Sequence, residues 1–422
     1  MRAVRLIDPL SGTDALADVS VFQGKVTSIS PPSSVPSGLW LIPGIVDMHV
    51  HLRVPGGEGA ETLLTGLRAA VAGGVTALGM MPNTLPPLDC PGETMDIVRR
   101  GNDLGLARIH PVPCVTMGRK GFDCVNFEGF LELGVKAFTD DGSPVGSDTS
   151  LREAFRRLAP AGGTVIEHPE VTAMAAGGAV NLGEASRVTG AVGIPEAAEF
   201  QDVQRCIDIL AGSPPGARLH LTHLSSPESI RRVHSAAEAG LSVTCDTTPH
   251  HLALNENSLI TLGAVAKMNP PLRSEASRRE VVDLAGAGFV DAVASDHAPH
   301  PAVSKNLSVQ DAAFGITGLE TLLPVTVDIL VNRAGMEPMD VIRMLTVSPA
   351  SHTGHRPPGN KPGQQSEHGS FRSGGNLDIY HHLFEVGEFT LFSQGTPGKD
   401  PQCLDRRGNL QGGPVCLGPF HS

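Results

Sequence analysis

The spacing of hydrophobic and polar positions changes near residue 41. Before it, residues 3–7, 19–22 and 25–29 form short strand-like runs separated by Gly, Asp, Pro and Ser. This pattern predicts the first part of a small β domain over residues 1–40, which we expect a segment near the end of the chain to complete. From residue 41 to about residue 350, strand-like runs alternate with segments of helical spacing.

Eight apolar runs mark this second region. Two of the intervening segments, around Leu67 and Phe155, have amphipathic helical spacing and end at the glycine pairs 73–74 and 162–163. Such an alternation predicts the α/β class and a (β/α)₈ TIM barrel over residues 41–350. The eight runs are Ile45–Leu52, Val75–Met81, Ile109–Val115, Gly134–Phe138, Thr164–Glu167, Arg218–Leu224, Leu241–Cys245 and Asp291–Ser295.

Composition narrows the class of function. The chain has 422 residues, of which 40% are hydrophobic, so it can bury a large core. Its formal net charge of −12 argues against nucleic acid as a partner, and an anionic ligand must be held by a few local donors. No apolar run has the length of a membrane span, and no signal-peptide pattern opens the chain, so we expect a cytoplasmic protein. The seven cysteines lack C-x-x-C spacing, which argues against a zinc ribbon or a disulfide framework.

Candidate chemistry follows the strand ends, where TIM barrels carry their active sites. His49 and His51 alternate along the first strand and therefore project from one face. Further polar residues follow the later strands: Asn83, Asp141, His168, His223, His250, His251, Asp296 and His300. A single strand-end histidine is more often a solvated loop residue, but this recurrence predicts a metal site.

Four imidazoles and two carboxylates form the strongest set of candidate ligands. His49, His51, His168 and His223 with Asp141 and Asp296 suit two ions of a borderline metal such as zinc. Two such ions activate a water molecule at neutral pH and polarise a carbonyl oxygen, which is the chemistry of amide hydrolysis. Asp296 is the candidate for moving the proton to the leaving nitrogen, although it could equally be a plain ligand.

The motifs that carry these residues resemble those of type I dihydroorotases of the amidohydrolase superfamily. The resemblance implies reversible hydrolysis of the cyclic amide of (S)-dihydroorotate to N-carbamoyl-L-aspartate, the third step of pyrimidine synthesis. The matching motifs are Asp47-Met48-His49-Val50-His51-Leu52-Arg53, Met81-Pro82-Asn83-Thr84, Ala137-Phe138-Thr139-Asp140-Asp141-Gly142, Thr248-Pro249-His250-His251-Leu252, Lys267-Met268-Asn269-Pro270-Pro271-Leu272-Arg273, Ser295-Asp296-His297-Ala298-Pro299-His300 and Gly318-Leu319-Glu320-Thr321.

The resemblance also implies a role for each residue. His49 and His51 would bind the more buried Zn²⁺, His168 and His223 the second, and Asp141 would bridge the two. Asp296 would be both a metal ligand and the catalytic proton shuttle. The substrate-binding residues would be His51, Arg53, Asn83, Asn269, His300, Phe314 and Gly315, with Arg53, Asn83 and His300 on the substrate carboxylate.

The bridging ligand has two candidates. Relatives with a carboxylated lysine carry a Gly-x-Lys-x-Phe/Tyr pattern, and the stretch 134–138 fits it with Lys136. The Phe-Thr-Asp-Asp-Gly motif and the spacing to His168 instead favour Asp141. Val54 and Pro169 depart from the residues frequent in the family, which puts fine positioning of the site in question but removes no ligand.

The tail over residues 351–422 is atypical. It is rich in Gly, Pro, Gln, Ser and His, and only the stretch 375–380 resembles the segment with which relatives complete the β domain. Residues 399–407 can be encoded so that reading one base later gives Arg-Thr-Pro-Asn-Ala-Trp-Thr-Gly, which resembles the tail motif of the family. We therefore hypothesise a frameshift after residue 350.

Alternative functions remain at the level of sequence. An allantoinase or hydantoinase would share the barrel and the metals, although Arg53 suits a substrate that carries a carboxylate. An inactive dihydroorotase-like subunit could instead scaffold aspartate transcarbamoylase, but such subunits typically lose metal ligands and this chain keeps them. A complex with aspartate transcarbamoylase remains a possible partner assembly for the active enzyme too.

Overall fold

The computed structural model describes residues 1–22 and 25–352, together with the backbone of three short strands near the end of the chain. The strands are β1 Val4–Asp8, β2 Thr13–Phe22, β3 Lys25–Ser30, β4 Leu39–Pro43, β5 Ile45–Val50, β6 Val75–Met80, β7 Arg108–Pro111, β8 Ala137–Thr139, β9 Thr164–Glu167, β10 Val180–Asn181, β11 Gly193–Ile194, β12 Leu219–Leu221, β13 Val243–Thr247, β14 Ala292–Val293, β15 Phe389–Ser393, β16 Gln402–Leu404 and β17 Leu410–Gln411.

Helices alternate with the central strands, as predicted. They are α1 Leu63–Ala72, α2 Pro91–Asn102, α3 Phe127–Glu132, α4 Asp148–Leu158, α5 Thr172–Ala175, α6 Glu184–Thr189, α7 Ala197–Ala211, α8 Pro227–Glu238, α9 Pro249–Ala253, α10 Glu256–Leu262, α11 Glu275–Gly286, α12 Ala302–Lys305, α13 Leu322–Thr326, α14 Pro338–Leu345 and α15 Val347–His352. Short 3₁₀ turns lie at Met117–Arg119, Ala159–Ala161 and Gly263–Ala266, and a π-helix lies at Val327–Arg333. In the residues described, no helix is both long and apolar enough to cross a membrane.

A small sheet gathers the first four strands with the last three. Its strand order is β17-β16-β15-β4-β1-β2-β3, with β1 parallel to β4 and β15 antiparallel to β4. The predicted domain boundary after residue 40 therefore falls inside β4, whose pairing carries this sheet to Pro43. The pairing of β15 agrees with the expectation that a late segment completes the sheet. The stretch 375–380 lies outside the described residues, and the frameshift stays a prediction.

The eight central strands confirm the predicted TIM-barrel architecture. They form two parallel sheets, β5-β6-β7 and β8-β9-β12-β13-β14. One seam between the sheets is bridged by Thr139 N–H, which donates to Pro113 O at 2.9 Å. At the other seam, His51 N–H donates to His297 O at 2.9 Å.

Asp47 reinforces the second seam from within β5. Its Oδ1 atom accepts from the backbone N–H of Ser295, on the strand-end segment after β14, at 3.1 Å, and from His49 N–H at 3.2 Å. Burial raises the pKa of Asp47 to about 6, even though these hydrogen bonds lower it. Closure of the barrel therefore fixes the backbone that carries the first histidine pair.

Most of the central strands are shorter than the apolar runs that predict them, and the differences lie at the strand ends. The prediction for β9 is confirmed residue for residue, whereas the run 291–295 contributes only Ala292 and Val293 to β14. The residues beyond β14 continue as irregular backbone that reaches the active end of the barrel. Helix α1 ends at Ala72, and Gly73 is its C-cap residue, as predicted. A Cβ atom at Gly73 would lie 2.0 Å from Leu319 O, so only glycine fits there.

The core between the strands and the helices includes an aromatic cluster. Phe138 on β8 is fully buried and meets Phe127 edge to face, with ring centroids 5.0 Å apart. Phe130 approaches the same ring at 5.9 Å. These contacts hold α3 against the strand that ends just before Asp141.

We expect Phe138→Ala to lower the free energy of unfolding by about 3–5 kcal/mol, because it leaves a cavity in a closely packed core. The measurement is urea unfolding followed by circular dichroism. Phe122→Ala is the matched control, since Phe122 is 69% exposed and its loss opens no cavity. Equal stability of the two variants would contradict the packing described.

Candidate metal centre and active site

His49 lies on β5 and His51 directly follows its end. Both side chains are buried, and their Nε2 atoms point to the same pair of carboxylates. His49 Nε2 lies 3.3 Å from Asp141 Oδ1 and 3.4 Å from Asp296 Oδ1. His51 Nε2 lies 3.4 Å from Asp141 Oδ2 and 3.1 Å from Asp296 Oδ1. The sequence-predicted pair therefore does converge on two strand-end aspartates.

His168 and His223 complete the ring of candidate ligands. His168 Nδ1 and His223 Nε2 lie 2.9 Å apart, and they lie 3.8 and 3.6 Å from Asp141 Oδ1. Asp141 thus faces both histidine pairs, which is the position that a bridging ligand requires. All six predicted ligands, from five strand ends, meet in one buried cluster.

The charges of this cluster call for a cation. Asp141 and Asp296 raise the pKa of His49 to about 10 against the opposing effect of its burial. Burial also opposes ionisation of Asp141, yet the neighbouring imidazoles, His49 foremost, hold the pKa of this carboxyl well below its usual range. Burial lowers the pKa of His168 to about 3, so that ring stays neutral and suited to ligation. The positive charge of the neighbouring side chains therefore does not balance the two buried carboxylates, Asp141 and Asp296.

Unpaired atoms fit a metal in the same place. His49 Nε2 and Asp141 Oδ1 are buried and lack a hydrogen-bond partner. Two sets of side chains bring three candidate ligand atoms within 4.8 Å of one another, His49 with His51 and Asp296, and His49 with Asp141 and His223. Mixed imidazole and carboxylate ligands suit zinc.

Lys136 lies away from this cluster. It directly precedes β8, and its Nζ atom donates to Ala161 O at 2.9 Å. Ala161 precedes β9, so this contact lies at the amino ends of the strands, opposite the histidines. A carboxylated Lys136 would have no path to the ligands from this position.

The carboxamides of Asn83 and Asn269 each contact one of the candidate metal ligands. Asn83 Oδ1 accepts from His51 Nδ1 at 2.7 Å, which leaves the Asn83 amide group free to donate elsewhere. Asn269 Nδ2 donates to Glu170 Oε2 at 3.0 Å and lies 3.3 Å from His168 Nε2. Both predicted substrate-binding asparagines therefore border the metal centre.

The predicted anion-binding residues form a second group beside the ligands. Arg53 Nε donates to Pro299 O at 3.2 Å, and one Arg53 Nη atom lies 3.2 Å from His300 Nε2. Burial and the nearby guanidinium lower the pKa of His300 to about 4, so its ring is neutral at pH 7. Arg53 is thus a positive charge held against Pro299 and His300, within electrostatic reach of Asp296 and Asp141.

The loop after His300 closes one side of the site. Phe314 O accepts from His300 Nε2 at 2.6 Å, and Gly315 N–H donates to Lys267 O at 3.0 Å. Gly315 has a φ of 134°, and a Cβ atom there would lie 2.6 Å from Ala298 O, so only glycine fits. Lys305 Nζ holds this loop by donating to the carbonyl oxygens of residues 267, 313 and 315.

Backbone strain concentrates at the site. Arg53, His223 and Asp296 have positive φ values of 59°, 42° and 45°. Residues other than glycine avoid this region, and such conformations persist where the surrounding structure enforces them. These three residues lie at the ends of β5, β12 and β14, where the candidate ligands meet.

Another buried group of potential ligands already contains a cation. Glu167, Asp202 and Cys206 bring their ligand atoms within 4.8 Å. Arg205 Nε donates to Asp202 Oδ1 at 2.6 Å, and an Arg205 Nη atom lies 3.7 Å from Glu167 Oε1. The guanidinium occupies the role that a metal would have.

Several residues around the site were not singled out from the sequence. Glu170 contacts Asn269 and lies two positions after His168; Thr222 lies 2.8 Å from His49 Nδ1 and directly precedes His223. A Thr next to a ligand histidine carries no distinctive spacing, so only the fold reveals its contact. The His250-His251 motif was noted, but its contacts were not predicted.

Comparisons with known proteins agree with this geometry. Residues 38–229 match the family model described as dihydro-orotase-like. A dihydroorotase from Syntrophobacter fumaroxidans is 38% identical over 361 residues, covering 83% of this chain and 82% of the relative. A dihydroorotase from Geobacillus thermodenitrificans is 39% identical over 313 residues, covering 74% and 73%.

Solved structures resemble the fold at lower identity. The L-hydantoinase (dihydropyrimidinase) of Arthrobacter aurescens has a TM-score of 0.70 at 24% identity, covering 84% of this chain and 81% of that one. The dihydropyrimidinase of Brevibacillus agri NCHU1002 has a TM-score of 0.69 at 20% identity, covering 97% and 94%. These likenesses support the barrel architecture.

We expect His251 to make stability depend on pH. Burial lowers its pKa to about 4, and its neutral ring is satisfied by Thr248 Oγ1 at 2.9 Å and Pro270 O at 3.0 Å. The unfolded chain binds a proton below about pH 6.5, whereas the folded chain does not until about pH 4. This contribution is therefore complete above pH 6.5 and is lost as pH falls toward 4, by about 2 kcal/mol between pH 7 and 5.

Urea unfolding of the parent chain and of His251→Gln at pH 7, 6 and 5 measures this contribution. The variant should lose less stability on acidification than the parent chain does. His234→Gln is the control, because His234 lies on α8 away from the barrel interior. Parallel pH profiles for the parent and His251→Gln would show that the ring titrates normally.

Proposed function

The chain belongs to the dihydroorotase family of cyclic amide hydrolases, and from that premise we propose the activity of its catalytic site. The proposed activity is the reversible, zinc-dependent hydrolysis of the cyclic amide of (S)-dihydroorotate to N-carbamoyl-L-aspartate in pyrimidine synthesis. The observation that carries the proposal is the buried cluster of four histidines and two aspartates lying directly beside Arg53.

Six side chains would hold the metal. His49 and His51 would bind one Zn²⁺, His168 and His223 a second, and Asp141 would lie between them, with Asp296 as a further ligand. The unpaired His49 Nε2 and Asp141 Oδ1 support this assignment. When bound, zinc lowers the pKa of water toward neutrality and polarises the carbonyl of the scissile amide.

Asp296 is the residue proposed to move the proton. Burial opposes its ionisation, but His49 and His51 lower its pKa, so the carboxylate is available as a base at neutral pH. It would accept the proton of the attacking water and deliver it to the amide nitrogen as the ring opens. The reverse reaction uses the same carboxylate in the opposite order.

Arg53 would recognise the substrate carboxylate, together with His300 and the amide group of Asn83. A guanidinium binds a carboxylate in a bidentate manner, and this chain has a formal net charge of −12, so local donors must supply the attraction. Asn269 and the backbone at Phe314 and Gly315 would contact the ring. The loop held by Lys305 would limit the access of water.

A hydantoinase is the alternative within the same fold. Hydantoinases among the solved structures share the barrel, but a guanidinium held beside His300 suits a ring substrate that bears a carboxylate. The opposing class, an inactive scaffold subunit of aspartate transcarbamoylase, would not need six converging ligands. An active complex with that transcarbamoylase, and a cytoplasmic location, stay predictions.

We expect Asp296→Asn to lower dihydroorotate hydrolysis by more than about 100-fold, because the amide cannot accept the proton. The assay follows the loss of substrate absorbance in metal-free buffer, with and without added zinc, alongside zinc content by atomic absorption. Parent protein should gain activity with zinc.

Two further variants separate the candidate bridging ligands. Asp141→Asn should lose zinc as well as activity, whereas Lys136→Met should keep both, because Lys136 lies at the opposite ends of the strands.

Turnover that appears only after aspartate transcarbamoylase is added would establish the partner requirement. A parent protein that neither binds zinc nor hydrolyses dihydroorotate would refute the proposal.

We expect Arg53→Gln to lower kcat/KM for dihydroorotate by about 10- to 100-fold through the loss of a charged hydrogen bond. Dihydrouracil has the same ring without the carboxylate, so Arg53→Gln should have the same kcat/KM for dihydrouracil as the parent enzyme. Steady-state kinetics on the two substrates measures the difference. A parent enzyme that prefers dihydrouracil or hydantoin would favour the alternative function.

A further inference from the structure

A chain of buried hydrogen bonds reaches His49 from the side opposite the metal centre. Thr222 Oγ1 lies 2.8 Å from His49 Nδ1 and donates to Asp246 Oδ2 at 3.0 Å. The same Oδ2 atom lies 2.8 Å from His220 Nε2, and Asp246 Oδ1 accepts from His223 N–H at 2.7 Å. All of these side chains are buried inside the barrel.

The number of protons in this chain fixes their positions. A carboxylate only accepts, and Asp246 receives three donors: Thr222 Oγ–H, His220 Nε2–H and His223 N–H. The threonine hydroxyl has one proton and has given it to Asp246, so Thr222 Oγ1 must accept from His49 Nδ1–H. Metal binding requires the neutral ring, in which Nδ1 keeps the one proton and the lone pair is on Nε2, the nitrogen that faces the carboxylates of the metal centre.

We propose that Thr222, held by Asp246, is a positioning residue that keeps His49 in the tautomer and orientation needed to bind metal through Nε2. This role rests on the proposed metal centre. It differs from plain packing, because the contact is made by one hydroxyl whose direction is set by a carboxylate. Outer partners of metal-binding histidines commonly have this effect.

His51, which directly follows β5, has a different hydrogen-bond partner at its Nδ1 atom. His51 Nδ1 donates to Asn83 Oδ1 at 2.7 Å, which leaves Nε2 toward Asp296. Asn83 lies beside the substrate space, whereas Thr222 and Asp246 lie beneath the ligands at the ends of β12 and β13. The state of Thr222 should therefore affect metal binding rather than substrate binding.

The barrel tolerates buried threonine hydroxyls that have no such contact. Thr164 Oγ1, at the start of β9, is buried without a hydrogen-bond partner. Thr164→Val therefore replaces a hydroxyl by a methyl group in a barrel strand without touching the metal centre. It is the matched control for Thr222→Val, which makes the same change next to His49.

The experiment compares zinc dissociation constants of the parent, Thr222→Val, Thr222→Ser and Thr164→Val proteins, measured by competition with a chromogenic zinc chelator. We expect Thr222→Val to bind zinc about 10- to 100-fold more weakly. Thr222→Ser keeps the hydroxyl and should remain within about 3-fold of the parent, as should Thr164→Val. Far-ultraviolet circular dichroism of each metal-free protein checks that the barrel is intact.

A second measurement identifies the protonated nitrogen of His49 directly. Nitrogen-15 labelling of histidine should show His49 with its proton on Nδ1 in the zinc-loaded protein, assigned by the signal that Thr222→Ser shifts. A proton on Nε2, or equal zinc affinity for Thr222→Val and the parent, would overturn the inference while leaving the proposed function intact. A parent protein without zinc affinity would overturn both.

Discussion

The site depends on the placement of two carboxylates, Asp141 and Asp296, within 3.4 Å of the Nε2 atom of one buried imidazole, His49. Like charges at this separation in a buried space repel strongly unless a cation lies between them. The raised pKa of His49 is the response of the protein without metal, and a divalent ion satisfies the same demand more fully. The electrostatics of the cluster and the proposed metal chemistry are therefore one property.

Barrel closure and ligand geometry depend on the same atoms. Asp47 joins β5 to Ser295 in the segment after β14; His49 lies two positions after Asp47, and Asp296 directly follows Ser295. Any opening of this seam would separate Asp296 from His49 and His51, whose Nε2 atoms lie 3.4 and 3.1 Å from Asp296 Oδ1. This coupling explains why the backbone at Asp296 can be held at a positive φ that it would otherwise avoid.

The architecture and the convergence of the six candidate ligands could be predicted from the sequence for a physical reason. Parallel barrel strands all end at one face, so residues that follow apolar runs must meet there, whatever the loop lengths between them. His168 and His223 are 55 positions apart and still lie 2.9 Å from each other. The resemblance to a known family supplied the roles of Arg53 and His300, which periodicity alone does not.

What the sequence could not give are contacts whose direction depends on neighbouring strands. Thr222 contacts His49 only because β12 is placed across the barrel from β5, and strand lengths near the seam depend on irregular backbone that no alternation pattern encodes. The same limit applies to Lys136, which matches a ligand motif in the sequence but lies at the amino ends of the strands, where its Nζ atom contacts Ala161 O.

Arg53 connects specificity to the strained backbone. Its φ of 59° turns the chain immediately after His51, so that the guanidinium lies against Pro299 and His300 instead of continuing along the strand. An extended residue at this position would project its side chain from the same face of the strand as His49 and His51. The turn thus places a positive charge at a fixed offset from the candidate ligands. In the proposed function this offset would select ring substrates with an acidic substituent, which the metals alone would not distinguish from neutral cyclic amides.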